Sequence, residues 1–317
     1  MKLIFELNKS NLNLAKEEII YLEKDKSLKF FDNYISKKYI IESEKDYSKR
    51  LGFSHRIFEF LFKSNKSKLN EKIEKYDWDS LIKKTFCVRI KNDKYITEKN
   101  LSSLIWKNLK KPNVNLKNPD TIIFFIFNKE EVYCCRFITD IDKSYLSRKA
   151  HMRPKLHPSS LDPRLARVCI NLTGLKNGKI LDPFCGSGGI LIEAGFMGFN
   201  ITGYDLFKKQ IEYCKVNLMH YGINKFNIKQ RDSSTIEKKF DAIVTDLPYG
   251  KNSKGKNLDE LYLNFLNSAH QSTKRMVVIF PSWSEYKKII KITKWKIKNE
   301  FEIYIHKSLT RYIVVLN

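Results

Sequence analysis

Along this chain the spacing of hydrophobic residues switches repeatedly between a period of two and one of three to four, and each switch marks a change of element. "KLIFEL" (2–7) reads as a strand and "LNLAKEEIIYLE" (12–23) as an amphipathic helix, with a second helix expected near "SHRIFEFLFK" (54–63). "TFCVRIKN" (85–92) is a strand. "NLSSLIWKNL" (100–109) is a helix, because Leu101, Leu104, Ile105 and Leu109 recur at helical spacing. "NPDTIIFFIFNKEEVYCCRFI" (118–138) reads as two strands joined by a turn at "NKEE". The first 142 residues therefore form an α+β pattern with no catalytic cluster in view.

From about residue 165 strands and helices alternate, which predicts a doubly wound α/β fold on a parallel sheet. "KILDPF", "NITGYD", "FNIKQRD", "FDAIVTD" and "RMVVIFPSW" are its strands. "GGILIEAGFMG" is a helix, and so is "FKKQIEYCKVNLMHYG", with Phe207, Ile211, Cys214, Leu218 and Tyr221 on one stripe and Gly222 as its stop. "NLDELYLNFLNSAHQ" opens with Asn257 and Glu260 at capping-box spacing, and "SEYKKIIKIT" is a further helix. The tail, "WKIKNEFEIYIHKSLTRYIVVLN", holds two strands with no helix between them, so this last pair must be antiparallel.

At 317 residues the chain is long enough for two or three domains, and 42% hydrophobic residues suffice for their cores. No run reaches the roughly 18 apolar residues of a membrane span. The first ten residues lack the apolar block of a signal peptide, so a cytoplasmic protein is expected. Six cysteines include no C-x-x-C pair, and Cys134 and Cys135 are adjacent, which argues against zinc and against a disulfide framework. Lys and Arg number 59 against 35 Asp and Glu, a net charge of +24. Such an excess points to a polyanionic partner, most plausibly nucleic acid, although codon bias also enriches a chain in lysine. The cations concentrate in "KSYLSRKAHMRPKLHPSSLDPRLAR" (143–167), where Arg148, Lys149, Arg153, Lys155, Arg164 and Arg167 face only Asp162. With three prolines it reads as an interdomain linker that contacts phosphate, the alternative being an ordinary solvated linker.

Candidate chemistry gathers at the strand ends. "LDPFCGSGGILIEAG" sets Gly186 and Gly188 between a strand and a helix, where small residues let a ligand approach the helix N-terminus. The third glycine of a dinucleotide fingerprint is replaced by Leu191, and no Lys-Ser/Thr pair follows the loop, so neither NAD nor an NTPase phosphate loop fits. Asp205 ends the next strand, where a carboxylate can bind both ribose hydroxyls, and Asp232 ends the one after, within reach of an adenine amine. With Asp182 and Asp246, four successive strand ends carry an acid. A cationic ligand with ribose and adenine but no phosphate suits them, and S-adenosylmethionine is such a ligand. Each acid taken singly also reads as a helix cap or turn residue. Cys185 sits inside the glycine loop, where a small packing residue is a better reading than a nucleophile.

"DPFCGSGG" (182–189) and "DLPYG" (246–250) resemble the first motif and the [D/N]-P-P-[Y/F] motif of class I S-adenosylmethionine-dependent methyltransferases that modify exocyclic amines, with Leu247 in place of the usual first proline. The resemblance implies a Rossmann-like, seven-stranded sheet with an antiparallel last strand. "FCVRIKN", the helix after it and "NPDTIIFFIF" are similar to a THUMP RNA-binding domain, preceded by a ferredoxin-like segment. "RPKLHPSSLDPRLAR" and "HKSLTRYIVVL" resemble signatures of the archaeal-type tRNA guanosine-10 N2-methyltransferases, and an acid at 246 favours them over guanosine-6 enzymes. The expected divisions are 1–80 ferredoxin-like, 81–142 THUMP-like, 143–164 basic linker and 165–317 methyltransferase.

On this reading Asp246 and the backbone carbonyl of Leu247 hold the amine, Pro248 fixes the turn and Tyr249 stacks on the extruded base. Asp182, Pro183, Phe184, Cys185, Gly186, Ser187, Gly188, Asp205, Leu206, Asp232 and Ser233 line the cofactor, and no metal is expected. The resemblance implies tRNA as the substrate. A monomer is expected, with room for a small activating protein partner, and the sequence leaves mono- and dimethylation both open. Guanosine-6 or ribosomal guanosine methylation, DNA adenine N6-methylation and a non-catalytic RNA-binding role are the alternatives.

Overall fold

The computed structural model describes residues 2–24, 29–31, 34–38, 47–156, 160–250 and 258–317. In chain order, the first half contains β1 (Lys2–Leu7), α1 (Leu12–Glu23), β2 (Lys29–Phe31), β3 (Tyr34–Lys38), α2 (Tyr47–Arg50), β4 (Ser54–Asn65), α3 (Leu69–Glu74), α4 (Trp78–Leu81), β5 (Phe86–Lys91), α5 (Glu98–Lys107), β6 (Thr121–Asn128) and β7 (Glu131–Asp140). The second half contains α6 (Pro163–Asn171), β8 (Lys179–Asp182), α7 (Gly189–Phe196), β9 (Asn200–Asp205), α8 (Lys208–His220), β10 (Phe226–Gln230) and β11 (Ala242–Asp246). It ends with α9 (Leu258–Ser272), β12 (Met276–Pro281), α10 (Tyr286–Lys291), β13 (Ile297–His306) and β14 (Leu309–Leu316). Two compact units result: Met1–Lys9 with Lys26–Ser48 and Ser54–Ile141, and Ser10–Asp25 with Lys49–Phe53 and Asp142–Asn317.

The first unit is one seven-stranded sheet in the order β2-β3-β1-β4-β7-β6-β5. Its larger core gathers Trp78, Phe86, Ile105 and Phe125 beneath α3 to α5, and the Trp78 indole donates to Ile73 O at 2.7 Å. Two expectations are corrected here. The segment 54–63 is not a helix: β4 pairs antiparallel with β1 on one side and β7 on the other. Phe58, Phe60 and Phe62 alternate with polar or smaller neighbours, a period of two that suits a pleated strand. Nor does the chain divide near residue 80, since strands from both sides of that point share the sheet.

The second unit is also one sheet, β10-β9-β8-β11-β12-β14-β13. The first five strands are parallel, whereas β14 runs antiparallel to β12 and β13 antiparallel to β14. The expected α/β arrangement with a reversed final hairpin is present. Tyr262, Phe265, Leu266 and Phe280 fill one face of its core. Strand order reverses between β8 and β11, which opens a crevice beyond their carboxyl ends. The expected cap at Asn257 lies outside the described residues. On α8 the buried stripe is Ile211, Cys214 and Leu218, whereas Phe207 stands 60% exposed.

Helix α1 belongs to this second unit although it follows β1. Its fully buried Glu18 accepts from Gly52 N at 2.8 Å, Phe53 N at 2.9 Å and Asn171 Nδ2 at 2.7 Å. Burial raises its pKa while these bonds oppose the rise.

The basic stretch after β7 sends two of its arginines into the second unit, while most of residues 143–156 stay exposed. Arg148 donates through Nε and Nη2 to Glu193 of α7 at 2.7 and 2.9 Å, and Arg167 of α6 donates to the same carboxylate at 2.8 Å. The side chain of Asn217 on α8 bonds both the N–H and the carbonyl of Lys155, and the carbonyl of Ser187. Arg148 and Arg153 are therefore buried inside this unit, and the expectation that they contact RNA is corrected by their burial. Lys155 remains exposed, Lys149 is half-buried, and the half-buried Arg164 lays its guanidinium 4.7 Å over the Phe53 ring.

Candidate active site

Parallel register brings the acids to one edge. Because β10, β9, β8 and β11 are neighbours in that order, Asp232 (two residues past β10), Asp205, Asp182 and Asp246 stand on four adjacent strand ends. They approach with different chemistry. The Asp205 carboxylate takes Gly186 N on Oδ2 and Phe207 N on Oδ1, both at 2.9 Å, which fixes its plane. Each oxygen of a carboxylate has two acceptor sites, so a vicinal diol can still be bound. Asp232 accepts Ser234 N at 2.8 Å, with Ser233 buried beside it and Leu206 47% exposed.

Between β8 and α7 the chain turns through Pro183, Phe184 and Cys185, whose N–H donates to Tyr204 O at 2.9 Å. Gly186 has φ +49° with nothing within 4 Å of where a Cβ would stand, so the loop has open space on its ligand side. Gly188 has φ +89°, and a Cβ there would lie 2.9 Å from Cys214 Sγ, so only glycine lets the loop rest on α8. Ser187 pairs with Ser160 at 3.0 Å. Cys185 is buried, and its bond with Cys214 together with burial holds its thiol well above the ordinary range.

Asp182 is buried and its Oδ1 accepts Thr245 Oγ1 at 2.7 Å and Phe184 N at 3.2 Å. Burial pushes its pKa up to about 7 against those bonds. An open glycine loop with carboxylates on its floor and rim suits a ligand that has a cationic centre and a ribose.

The second cluster surrounds Asp246. Its pKa is pushed up to about 6 by burial, with Arg311 and the Tyr249 hydroxyl pulling the other way. Tyr249 donates to Asp246 Oδ1 at 2.5 Å, Arg311 Nε donates to the Tyr249 oxygen at 2.6 Å, and Arg311 Nη2 lies 3.4 Å from Asp246 Oδ2. Tyr262 donates to Pro248 O at 2.7 Å and clamps the loop from α9. Leu247 is buried in the core and donates its N–H to Ile279 O at 3.2 Å, a bond that proline has no hydrogen to make. Trp283, 48% exposed, meets Tyr249 edge to face with ring centres 5.9 Å apart.

Sequence reasoning missed Arg311, Thr245, Tyr262 and Trp283. Arg311 lies inside "HKSLTRYIVVL", a stretch quoted above for its resemblance, but nothing local marked the arginine itself as a site residue.

Fold and site together define a class I methyltransferase. The family described as RMKL-like, methyltransferase domain (UPF0020) matches residues 150–311, and a DNA methylase family matches 2–216. A tRNA (guanine(10)-N2)-dimethyltransferase of Methanothermobacter thermautotrophicus is 34% identical over 84% of this chain and 83% of its own. The Pyrococcus abyssi enzyme of that name is 35% identical over 76% of each chain. The chain belongs to the tRNA (guanine(10)-N2)-dimethyltransferase family. The solved structure of TrmN from Thermus thermophilus has the same fold, with a TM-score of 0.55 at 18% identity over 100% of this chain and 99% of that one.

Proposed function

We propose that this protein methylates the exocyclic N2 amine of guanosine-10 in tRNA, using S-adenosylmethionine. The observation that carries the reading is the Asp246-Leu247-Pro248-Tyr249 loop, clamped beside an open glycine loop at the switch point of a parallel sheet. When bound, the cofactor supplies a methyl group on a cationic sulfur. The residues do the rest. Asp205 takes the ribose hydroxyls, Asp232 and Ser233 meet the adenine edge, and Leu206 offers an apolar wall. Gly186 admits the methionine part, and the Asp182 carboxylate complements its charge.

A guanine N2 lone pair is conjugated into the ring and is a poor nucleophile. Asp246 Oδ1 and the Leu247 carbonyl accept the two amine hydrogens and turn the lone pair toward the methyl group, while Tyr249 stacks on the extruded base. As the N–C bond forms and the C–S bond breaks, the nitrogen becomes cationic. Asp246 stabilises that charge and takes the proton. THUMP-type RNA binding by residues 81–142, tRNA contacts by Lys149, Lys155 and Arg164, a cytoplasmic location and a monomeric state belong to the same proposal. Among the described residues no helix is long and apolar enough to cross a membrane.

The test is transfer of labelled methyl to an unmodified tRNA transcript, with the nucleoside and its position identified after digestion. Label on N2 of guanosine-10 is expected. Asp246→Asn should cut kcat about 10²- to 10⁴-fold while cofactor binding persists. Transfer to another nucleoside, or none with cofactor bound, would refute the assignment.

A further inference from the structure

Arg311 stands outside both recognised loops, on the antiparallel strand β14, opposite Pro281 at the carboxyl end of β12. That register delivers a guanidinium to the edge where β11 ends. Arg311 is 6% exposed, and two of its nitrogens divide between partners: Nε holds the Tyr249 hydroxyl and Nη2 faces Asp246 Oδ2. Tyr249 closes the triangle by donating to Oδ1. Both carboxylate oxygens are thus engaged, and an arriving amine either takes the second acceptor site of Oδ1 beside the Tyr249 hydroxyl or replaces that hydroxyl there.

We infer that Arg311 is the positioning residue of the target-amine site, anchoring Asp246 by Oδ2 and retaining the Tyr249 hydroxyl as Oδ1 passes to the guanine amine. The inference rests on the function proposed above. A planar fork with donors in fixed directions can hold both partners at once, and an ammonium point charge does so poorly. The anchor also has an electrostatic side. Asp246 stabilises the cationic amine and takes its proton only as a carboxylate, in a setting where burial favours its neutral form. Tyr249 follows it in the chain, Tyr262 of α9, Cys169 of α6 and Asp182 of β8 are within electrostatic reach, and Arg311 is the cation of this group.

The test compares the full chain with Arg311→Gln and Arg311→Lys. In Arg311→Gln the acid limb of the pH profile of kcat/KM should move up by about 1 to 3 units, with kcat reduced and cofactor affinity by calorimetry unchanged. Arg311→Lys keeps the charge, so it should restore most of the midpoint but not all of kcat. A side-chain ¹³C titration without RNA gives a second reading, with the Asp246 carboxyl assigned by its absence in Asp246→Asn. It should show the same upward shift in Arg311→Gln. An unmoved midpoint in that titration, or a loss of kcat matched by loss of cofactor binding, overturns the inference. If the unaltered protein binds cofactor yet leaves tRNA unmethylated, the proposed function fails while the titration still decides the role of Arg311.

Discussion

Asp182 and Asp246 each take a carboxylate out of water, and their environments determine what each can do. In the proposed reaction Asp246 can take the amine proton only when ionised, and its pKa is pushed up to about 6. Transfer should therefore fall as pH drops through about 6 and level off above it, read as kcat/KM against pH. Stability should move the opposite way. Both carboxyls have folded-state pKa values above the ordinary 3.8, so between that value and about 7 the native chain holds more protons than the unfolded one. Their stabilising contribution is full below the unfolded value and is lost as pH rises through the folded values. Urea midpoints should decline across that window, and less steeply in Asp182→Asn. At this scale the two acids were legible in the sequence because each ends an apolar strand, with Pro183 directly after Asp182 and Pro248 two residues after Asp246. Arg311 was not, because its role depends on β14 being antiparallel beside β12, a pairing that no local pattern states.

Among the elements, the stretch 143–156 is one whose sequence misleads. Composition marked it as a basic linker, and the fold uses it as a strap, with Arg148 spent on a carboxylate of α7. Glu193 sits 45 residues downstream in an apolar helix, so its pairing is invisible until that helix is packed. Replacing one partner of a buried ion pair leaves the other charge uncompensated. Glu193→Ala should destabilise the second unit by about 3 to 5 kcal/mol, measured by denaturant unfolding. Helices α5, α7 and α8 and the strands of the second sheet were readable from their periods. Strand β4 was read as a helix because Ile57 and Leu61, at a spacing of four, fall beside the phenylalanines and blur the alternation of Phe58, Phe60 and Phe62.

For the whole molecule, charge is the main lever. A net +24 makes binding to tRNA a counterion-release process, so affinity should fall steeply and linearly in a log–log plot against salt. For about six to ten phosphate contacts the loss between 50 and 200 mM salt is of order 10³ to 10⁵, and filter binding at several salt concentrations measures it. A slope near zero would mean that the lysines are simple surface charge. The two-part character of the chain was legible from its change of rhythm near residue 165, but its seam was not: α1 joins the later unit, and one sheet runs across residue 80. Neither is a local property, since both depend on which strands find each other.

All six cysteines are free and buried, and they are shared equally: Cys87, Cys134 and Cys135 in the first unit, Cys169, Cys185 and Cys214 in the second. Each unit therefore carries three concealed thiols that an alkylating reagent reaches only when that unit opens. A brief pulse of reagent, followed by peptide mass mapping, would time the opening of the two units separately within one unmodified chain, and would show whether cofactor or tRNA closes one of them without the other.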